Sequence, residues 1–438
     1  MKRPLVVLAG VPLLLWGLFV MPDVAAAART AWDWRRALIL LTGTLALWWM
    51  STGTLLAARP PLLERRLGGL DRLYRLHKHI GIGAGVIVFT HWMLEWLPKK
   101  LAKAGFITRP ARGPRPPGGD ESLWVELAKD IGEWAGYILL ALVVIALVRR
   151  IPYRYFRWLH KLFPLVFVAG VYHGLMLMPD SYWQGPLGWL TALVALPGVI
   201  AAGLALAGRI GRRRRTEARI TAIHRYPDAV TEVVCRPSGP WPGHRAGQHA
   251  LVDFGHPGEG AHPFTLAGAW NPADGTLRFA IKALGDYTRL LPGRLAVGQA
   301  VTIEGPYGGF TFSGAAGPQL WIAGGIGITP FVGRLQALAA QGGASTPVAL
   351  VYCTDAEVPG GYADALPALC AAAGVTLHRH LSSRDGRLGD AAIRDRVSPG
   401  GSVWFCGPAA WGEHLARALT ADGRVRPADF HRELFDFR

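Results

Sequence analysis

The 438-residue sequence predicts an all-α bundle of six transmembrane helices, followed by a small antiparallel β-barrel and an α/β domain with a parallel sheet. Two observations predict this order. Long apolar runs fill residues 1–210, and each is near the roughly 20 residues that a membrane-spanning helix needs. From Glu217 onward, short runs of alternating apolar and polar residues are separated by Gly and Pro turns, as expected of strands.

The charge of the chain indicates a membrane rather than a nucleic acid as its partner. The formal net charge is +17, but the basic residues collect beside apolar runs, as at residues 149–150 and 212–215. Charge in those places is typical of membrane orientation and of attraction to anionic lipid. Four cysteines all follow Glu217 and form no Cys-x-x-Cys motif: Cys235, Cys353, Cys370 and Cys406. This argues against an iron–sulfur cluster or a disulfide framework and suits a reducing cytoplasm.

Six apolar runs are predicted as the membrane spans. They cover residues 5–20, 37–56, 74–97, 123–148, 158–178 and 187–206. The first run follows a basic start and precedes several alanines, as in a signal peptide, but its length favours an uncleaved helix. Trp and Tyr residues at several span ends, such as Trp92 and Trp183, fit an interfacial belt.

Basic loops predict the orientation of the bundle. Loops 59–75, 149–157 and 209–215 fall on one side of six alternating helices, and an excess of Lys and Arg marks the cytoplasmic side. We therefore expect a multi-pass protein of the inner (plasma) membrane with its second half in the cytoplasm. Loop 98–122 is also basic yet falls outside. We interpret it as a solvated Pro/Gly-rich loop, and an outer patch for an anionic acceptor is the alternative.

Two of the predicted spans carry histidine pairs at matched spacing. His77 and His91 are fourteen residues apart, roughly 21 Å along a helix and nearly on one face. His160 and His173 are thirteen residues apart, or roughly 20 Å. Adjacent helices would then bring His77 opposite His160 and His91 opposite His173. Imidazole is a common axial ligand of haem iron, so we interpret these four residues as the metal ligands of two bis-histidine b-type haems.

The second histidine pair requires a distorted helix. On a straight helix, thirteen residues leave His160 and His173 about 140° out of phase. Pro164 lies between them and disrupts the bond to the carbonyl of His160, so we expect a kink or local rewinding there. The alternative is that these histidines are structural or form a proton relay. His79 lies off the face of His77 and is predicted to be a surface residue.

The second half of the chain is predicted to contain two domains. Strand-like runs at 231–235, 250–254, 277–282 and 300–304 indicate an antiparallel barrel. Runs at 319–323, 348–353 and 402–405, with a helical run at 330–340, indicate a nucleotide-binding unit with a parallel sheet. The predicted domain limits are 1–210, 217–315 and 318–438.

Two stretches of the predicted barrel resemble the NADPH oxidase and ferric reductase family, whose soluble half is similar to ferredoxin–NADP reductases. Residues 262–265 read His-Pro-Phe-Thr, like the FAD-binding motif of that family, and residues 281–288 are similar to its second FAD stretch. A Gly-bearing turn there exposes backbone amides suited to a pyrophosphate. The resemblance implies FAD contacts at His262, Pro263, Phe264, Thr265, Lys282, Gly285, Tyr287 and Thr288. The turn at 305–308 matches the one joining the family's flavin and nucleotide domains.

The Gly-rich stretch 323–330 resembles the family's pyrophosphate loop for NAD(P)H. It follows an apolar strand and opens a helix, where phosphate can approach backbone amides, and it lacks the Lys of an ATPase P-loop. Ser383 and Arg384 fall where relatives hold the 2′-phosphate of NADPH, which favours NADPH over NADH. The resemblance implies nucleotide contacts at Gly324, Gly325, Gly327, Thr329, Pro330, Ser383, Arg384, Gly407 and Pro408.

Two residues are predicted to take part in catalysis through the same resemblance. Cys406 opens a Cys-Gly-Pro motif that lines the nicotinamide in the family, although a small buried residue is an equal alternative. The C-terminal tail looks like the family's ending, in which an aromatic side chain covers the flavin. Phe435 matches that position best and Phe437 second.

These features predict a transmembrane oxidoreductase that passes electrons from cytoplasmic NADPH through FAD and two haems to an acceptor outside. Bis-histidine ligation leaves no open iron position, so the acceptor is reached by outer-sphere transfer. A ferric chelate, dioxygen giving superoxide, or a periplasmic protein all fit. The alternatives are a membrane-anchored NAD(P)H–flavin reductase without haem, and a six-helix transporter with a nucleotide-sensing domain.

Overall fold

The computed structural model describes residues 2–109, 122–148, 150–151, 153–313, 317–421 and 423–433. The chain divides into two compact units. The first comprises Met1–Glu64 and Arg72–Ile210, and the second comprises Arg65–Asp71 and Gly211–Arg438. The first unit ends at the predicted limit of 210, but the short segment Arg65–Asp71 within residues 1–210 groups with the second unit instead.

The described part of the first unit is helical. Its helices are α1 (Lys2–Phe19), α2 (Met21–Ala27), α3 (Ala31–Ala57), α4 (Pro61–Leu67), α5 (Leu70–Lys103), α6 (Leu123–Leu147), α7 (Tyr153–His160), α8 (Phe163–Met176), α9 (Asp180–Gln184) and α10 (Pro186–Leu206). Five spans are long and apolar enough to cross a membrane, with α7 and α8 together forming one of them. Helices α1 and α2, bent by 47°, make a sixth if they are one span. The predicted count of six is therefore the upper limit.

Close backbone approach and buried polar bonds hold α3 against α10. A Cβ atom on Gly198 of α10 would lie 3.0 Å from the Cα atom of Ser51 in α3, so only glycine permits this spacing. Nearby, the indole N–H of Trp48 donates to the hydroxyl of Thr191 over 3.0 Å. A polar group buried in hydrocarbon must find such a partner, so this bond fixes the register of the two helices.

The helix that carries His160 is interrupted, as the sequence predicts. Helix α7 ends at His160 and α8 begins at Phe163, so that Pro164 lies in the first turn of α8. Proline is tolerated there because its missing N–H has no partner within the helix. The interruption, rather than a bend in a continuous helix, changes the angular relation between His160 and His173.

The predicted basic loop 98–122 begins later than expected, because residues 98–103 are the last part of α5. There Lys99 forms an ion pair with Glu95 one turn earlier, and Lys100 lies over the ring of Trp96. Residues 110–121 of this loop, including Arg112 and Arg115, lie outside the described residues.

A six-stranded antiparallel sheet opens the second unit. Its strands are β1 (Arg215–Arg225), β2 (Val230–Pro237), β3 (His249–Asp253), β4 (His262–Thr265), β5 (Leu277–Lys282) and β6 (Ala300–Tyr307), with α11 (Asp286–Leu290) after β5. Their order is β4-β3-β6-β1-β2-β5. The sheet curls, and a bridge between Leu266 and Phe279 joins the region after β4 to β5. The predicted barrel is therefore a curled, partly closed sheet.

A five-stranded parallel sheet follows, flanked by helices. The elements are β7 (Gln319–Gly324), α12 (Thr329–Ala340), β8 (Val348–Thr354), α13 (Leu366–Ala372), β9 (Thr376–Leu381), α14 (Ser382–Asp385), α15 (Asp390–Arg394), β10 (Ser402–Cys406), α16 (Ala409–Ala421) and β11 (Phe430–Arg432). The order is β11-β10-β7-β8-β9, with every pair parallel. Helices α12 and α13 contribute to one buried core, and α15 and α16 to another. This is the predicted nucleotide-binding topology, in which ligands bind beyond the carboxyl ends of the strands.

Phe331→Ala is expected to destabilise the second unit strongly. Phe331 is fully buried, its ring lies 5.5 Å from that of Trp321, and removing it leaves a cavity. The expected cost is about 3–5 kcal/mol, or a fall in thermal midpoint on the order of 10 °C. Tryptophan fluorescence during heating of the full chain measures it. Val297→Ala, which truncates a side chain that is 65% exposed, should leave the midpoint within about 2 °C. Equal midpoints for the two variants would contradict the packing described here.

Candidate functional site

The structure brings the four membrane histidines together in the two predicted pairs. The ring centroids of His77 and His160 are 6.0 Å apart, and those of His91 and His173 are 6.4 Å apart. The members of each pair come from different spans, α5 on one side and α7 or α8 on the other. Two metal–nitrogen bonds of about 2.0 Å, each extended by about 1.1 Å to a ring centre, would separate the centroids by about 6.2 Å. The spacing therefore fits a metal ion shared between each pair.

Three of the four imidazoles are fixed by backbone carbonyls of neighbouring helices. The Nδ1 atom of His77 donates to the carbonyl of Gly53 over 2.9 Å, and that of His91 to the carbonyl of Ile39 over 3.0 Å. The Nδ1 atom of His173 donates to the carbonyl of Ala128 over 2.8 Å. A carbonyl only accepts, so Nδ1 carries the proton and Nε2 keeps a lone pair that can bind a metal. This outer hydrogen bond is typical of metal-binding histidines.

His160 differs from the other three histidines. Its Nδ1 atom is buried and has no hydrogen-bond partner among the described residues. The rings of Phe156 and Phe163 lie 5.0 Å and 4.7 Å from it and hold the imidazole by packing. Unlike the other three imidazoles, this ring is therefore oriented by aromatic packing rather than by a hydrogen bond at Nδ1 to the described residues.

The spans that carry the two members of each histidine pair make little direct backbone contact with each other in the described part of the chain. Helix α6 packs closely along α8, whereas α5 makes no comparably extensive backbone contact with α7 or α8 in the described part of the chain. Nor does any cluster of three or more His, Cys, Asp or Glu side chains among the described residues suit a bare metal ion. Two imidazoles complete a coordination shell only if a porphyrin provides the remaining nitrogens, so the residues fit haem.

His79, by contrast, faces away from the pairs, as predicted. Its side chain is exposed, and its Nδ1 atom donates to the carbonyl of Arg75 in the preceding turn over 2.7 Å.

The predicted FAD residues lie at the edge of the curled sheet and in the helix after β5. His262, Pro263, Phe264 and Thr265 form the edge strand β4. The ring of His262 stacks on that of Tyr287 at 4.2 Å and 20°, which joins the two predicted FAD stretches. The hydroxyl of Thr288 accepts the backbone N–H groups of Leu284 and Gly285, so in this structure it occupies the amides expected to meet a pyrophosphate. Lys282 ends β5.

The Gly-rich loop and the Cys-Gly-Pro motif meet at the carboxyl edge of the parallel sheet. Gly324 ends β7, and residues 325–328 form a turn before Thr329 and Pro330 open α12. A Cβ atom on Gly324 would lie 2.9 Å from the ring of Pro408, and one on Gly327 would collide with the carbonyl of Cys406. The loop can therefore contain no larger residue at these two positions. The two predicted nucleotide motifs form one surface beside the N-terminus of α12.

Behind this surface lies a buried polar cluster that the sequence reasoning missed. Glu433 follows β11, and its carboxylate is 3.4 Å from Nδ1 of His249 and 3.9 Å from Sγ of Cys406. All three side chains are buried. Burial raises the pKa of Glu433, and the carboxylate of Asp71 adds to the rise, whereas His249 opposes it. Burial and the neighbouring Glu433 raise the pKa of the Cys406 thiol, so Cys406 is not a nucleophilic thiolate.

A cleft of about 200 Å³ opens beyond the carboxyl ends of β7, β8 and β9. It is bordered by Lys282 of the curled sheet and by Gly325 of the Gly-rich loop, so residues of both predicted cofactor regions meet there. Sequence reasoning did not find several of the residues that line it: Asp228, Asp355, Glu357, Tyr362, Asp364 and Arg379. Most lie in turns, where spacing carries no signal, but acidic residues directly after strand β8 could have been noted.

Ser383 and Arg384 lie in the short helix α14 directly after β9, as their predicted role requires. The backbone N–H of Ser383 donates to the carbonyl of Asp355. The guanidinium of Arg384 is held by its neighbour Asp385 through two hydrogen bonds of 2.7 Å and 3.0 Å. Phe435 and Phe437 lie outside the described residues.

Comparison with known proteins gives relatives for the chain. Residues 42–171 match the family model described as the ferric reductase like transmembrane component. The toluate 1,2-dioxygenase electron transfer component of Pseudomonas putida is 29% identical over 173 residues, which cover 37% of this chain and 51% of that protein. Respiratory burst oxidase homolog protein B of Solanum tuberosum is 26% identical over 235 residues, which cover 48% of this chain and 26% of that protein.

Among solved structures, the flavohemoglobin from Malassezia yamatoensis aligns with a TM-score of 0.49 at 17% identity, over 91% of this chain and 97% of that one. The chain spans about half the length, or less, of the two curated relatives described above. The family model and the respiratory burst oxidase relative confirm the resemblance to the ferric reductase and NADPH oxidase family, and the chain is embedded in a membrane.

On the prediction that each histidine pair binds one haem, Gly132→Val is expected to remove one of the two. A Cβ atom on Gly132 of α6 would collide with the ring of His173, so a valine displaces that imidazole from His91. Haem content, measured as the pyridine haemochrome of the purified chain, should fall from two per chain to one. Gly136→Val is the matched control, because a Cβ atom one turn along the same helix meets nothing within 4 Å. Full haem content in both variants would exclude His173 as a ligand.

Glu433→Gln is expected to stabilise the second unit at alkaline pH. The folded protein holds the Glu433 proton to a higher pH than the unfolded chain does, because the pKa is raised above 4.5. Stability is therefore lost as the pH rises through the raised pKa, and glutamine removes this loss. Recovery of about 1 kcal/mol in the free energy of unfolding would raise the thermal midpoint of the variant by roughly 2–4 °C over the wild type at pH near 8. The two midpoints should converge near pH 5. The exposed Glu217→Gln control should show no such divergence, and a parallel shift at both pH values would contradict the burial argument.

Proposed function

We propose, on the confirmed resemblance to the ferric reductase and NADPH oxidase family, that this chain is a transmembrane oxidoreductase. It passes electrons from a reduced pyridine nucleotide in the cytoplasm, by way of FAD and two bis-histidine b-type haems, to an acceptor at the opposite face of the membrane. The observation that carries this proposal is the pairing of His77 with His160 and of His91 with His173.

The histidine pairs explain the route through the membrane. The ring centroids of each pair lie 6.0 Å or 6.4 Å apart. Nδ1 of three of the four rings is engaged by a helix carbonyl, which leaves Nε2 of those three for a metal. The two pairs are separated along α5 by the fourteen residues between His77 and His91, roughly 21 Å. Two carriers placed at these depths divide a hydrocarbon core of about 30 Å into short steps.

The soluble residues have separate tasks in this scheme. When bound, FAD exchanges an electron pair with the nucleotide and single electrons with the haems. His262 and Tyr287 form a stacked wall for the flavin nucleotide, and Gly324 and Gly327 admit the diphosphate of the pyridine nucleotide to the N-terminus of α12. Cys406 lies beneath the proposed nicotinamide position as a neutral thiol. Glu433 and His249 hold an exchangeable proton close behind it.

The proposed orientation rests on basic clusters between the apolar spans. Arg65, Arg66, Arg72 and Arg75 lie in α4 and the start of α5, and residues 209–215 contribute five more arginines. Such clusters mark the cytoplasmic face of the inner (plasma) membrane, where the nucleotide is available. The pair His77–His160 then lies towards the cytoplasm and the pair His91–His173 towards the outside.

The acceptor receives electrons without binding to iron. Two imidazoles would hold each haem, and no ligand position would then remain for substrate. A ferric chelate and dioxygen, which would give superoxide, both fit outer-sphere transfer, as does a periplasmic partner protein. Assaying purified protein for ferrous chelate and for superoxide in parallel, each with and without superoxide dismutase, distinguishes these acceptors.

Replacing each histidine tests the proposal. The purified chain should contain two haems, with absorbance bands of reduced b-type haem after dithionite. Single substitutions His77→Ala, His160→Ala, His91→Ala and His173→Ala should each remove one haem and abolish transfer to the outer acceptor. Reduction of ferricyanide by the flavin should continue in all four variants.

His79→Ala is the matched control, because it removes an exposed histidine of the same helix. It should keep both haems and full transfer. A wild-type chain without haem bands but with ferricyanide reduction would replace this proposal with the membrane-anchored flavin reductase. Absence of both the haem bands and ferricyanide reduction would leave the six-helix transporter as the remaining alternative.

A further inference from the structure

We propose that this chain uses NADH rather than NADPH, and that Glu357 and Asp385 exclude the 2′-phosphate. The inference rests on the proposed function, since it takes the cleft beyond β7, β8 and β9 as the site of a reduced pyridine nucleotide. The sequence favoured NADPH because Arg384 follows β9. In the structure, carboxylates are paired with the arginines that a 2′-phosphate would contact.

The topology places the adenosine ribose near the ends of β8 and β9. The Gly-rich loop follows β7, the central strand of the order β10-β7-β8-β9, and receives the diphosphate. In such sheets the ribose lies over the next strand outward, whose carboxyl end bears a carboxylate in NAD-binding proteins and an arginine nearby in NADP-binding ones. Here Asp355 directly follows β8, and Glu357 comes two residues later.

The cleft is acidic. Four carboxylates line it against two cations, a formal charge of −4 + 2 = −2. The carboxylates are Asp228, Asp355, Glu357 and Asp364, and the cations are Lys282 and Arg379. The carboxylate of Asp228 accepts the backbone N–H of Tyr362. The other three carboxylates are exposed to the cleft. Burial, followed by the carboxylate of Glu232, raises the pKa of Tyr362, and Asp228 contributes, as expected in a negative field.

Both arginines at the end of β9 are already engaged by carboxylates. Arg379 forms an ion pair with Glu357 and also donates to the carbonyl of Ala363. Arg384 is bound by both oxygens of Asp385. Hydrogen bonds from Arg384 and from the backbone of Leu381 lower the pKa of Asp385 to about 2, so this carboxylate stays charged at every pH of an assay.

A 2′-phosphate and a 2′-hydroxyl therefore interact differently with the ion pairs at this edge of the sheet. A phosphate dianion must displace Glu357 or Asp385 from its arginine and then lie beside the released carboxylate, with Asp355 close by. A hydroxyl donates to a carboxylate and leaves both ion pairs intact. The charge arrangement consequently selects the nucleotide without the phosphate.

The test compares the two nucleotides on the full-length chain with FAD, with ferricyanide as acceptor at low ionic strength. We expect kcat/KM for NADH to exceed that for NADPH at least tenfold. Glu357→Gln and Asp385→Asn each free one arginine, so each should raise the ratio of kcat/KM for NADPH to that for NADH roughly tenfold. Calorimetry provides a readout independent of turnover. ADP should bind more tightly than 2′-phospho-ADP in the wild type, and the difference between the two dissociation constants should be smaller in the variants.

Asp429→Asn is the matched control. Asp429 holds Arg426 through two hydrogen bonds in the turn before β11, at the opposite edge of the sheet from β9, so freeing that arginine should leave the NADH/NADPH ratio unchanged. A wild type that prefers NADPH, or variants whose ratio matches the control, would overturn the inference and leave the proposed function standing. Oxidation of neither nucleotide and binding of neither ADP analogue would overturn both.

Discussion

The bond between an imidazole N–H and a helix carbonyl is the interaction on which the membrane half depends. In hydrocarbon an unpaired polar group costs several kcal/mol, so a hydrogen-bond partner for a buried imidazole is strongly favoured. The carbonyls of Gly53 and Ile39 in α3 satisfy the two rings of α5, and the carbonyl of Ala128 in α6 satisfies one ring of α8. These bonds fix both the direction of each ring and the tautomer that can bind a metal.

Glycine lets those helices come close enough for the bonds to form. Gly132 of α6 leaves the space that the ring of His173 fills, and Gly43 of α3 lies where a Cβ atom would be 3.3 Å from the ring of His91. Small residues at helix interfaces are the usual means of close packing in membranes, where lipid and side chains are equally apolar. Here the rings of His173 and His91 occupy the space beside these glycines.

In the second unit, the carboxyl edge of the parallel sheet brings charged side chains from remote segments together, as the helices of the first unit bring carbonyls to the histidines. The carboxyl ends of β7, β8 and β9 border one cleft, so glycines, four carboxylates and two cations from distant positions meet there. The ion pairs Arg379–Glu357 and Arg384–Asp385 neutralise two arginines that would otherwise attract a phosphate. Buried Glu433 and His249 lie near Cys406, which ends β10.

The amino-acid sequence by itself determined the apolar spans, the strands on either side of the Gly-rich loop, and the pairing of His77 with His160 and of His91 with His173. Periodicity and spacing carry this information because helices and strands have fixed rises. Only the tertiary structure decided the ring tautomers and the partners of Arg379, Arg384 and Glu433. Those depend on side chains that meet from remote segments, and the charge available to a ligand is known only once the partners are known.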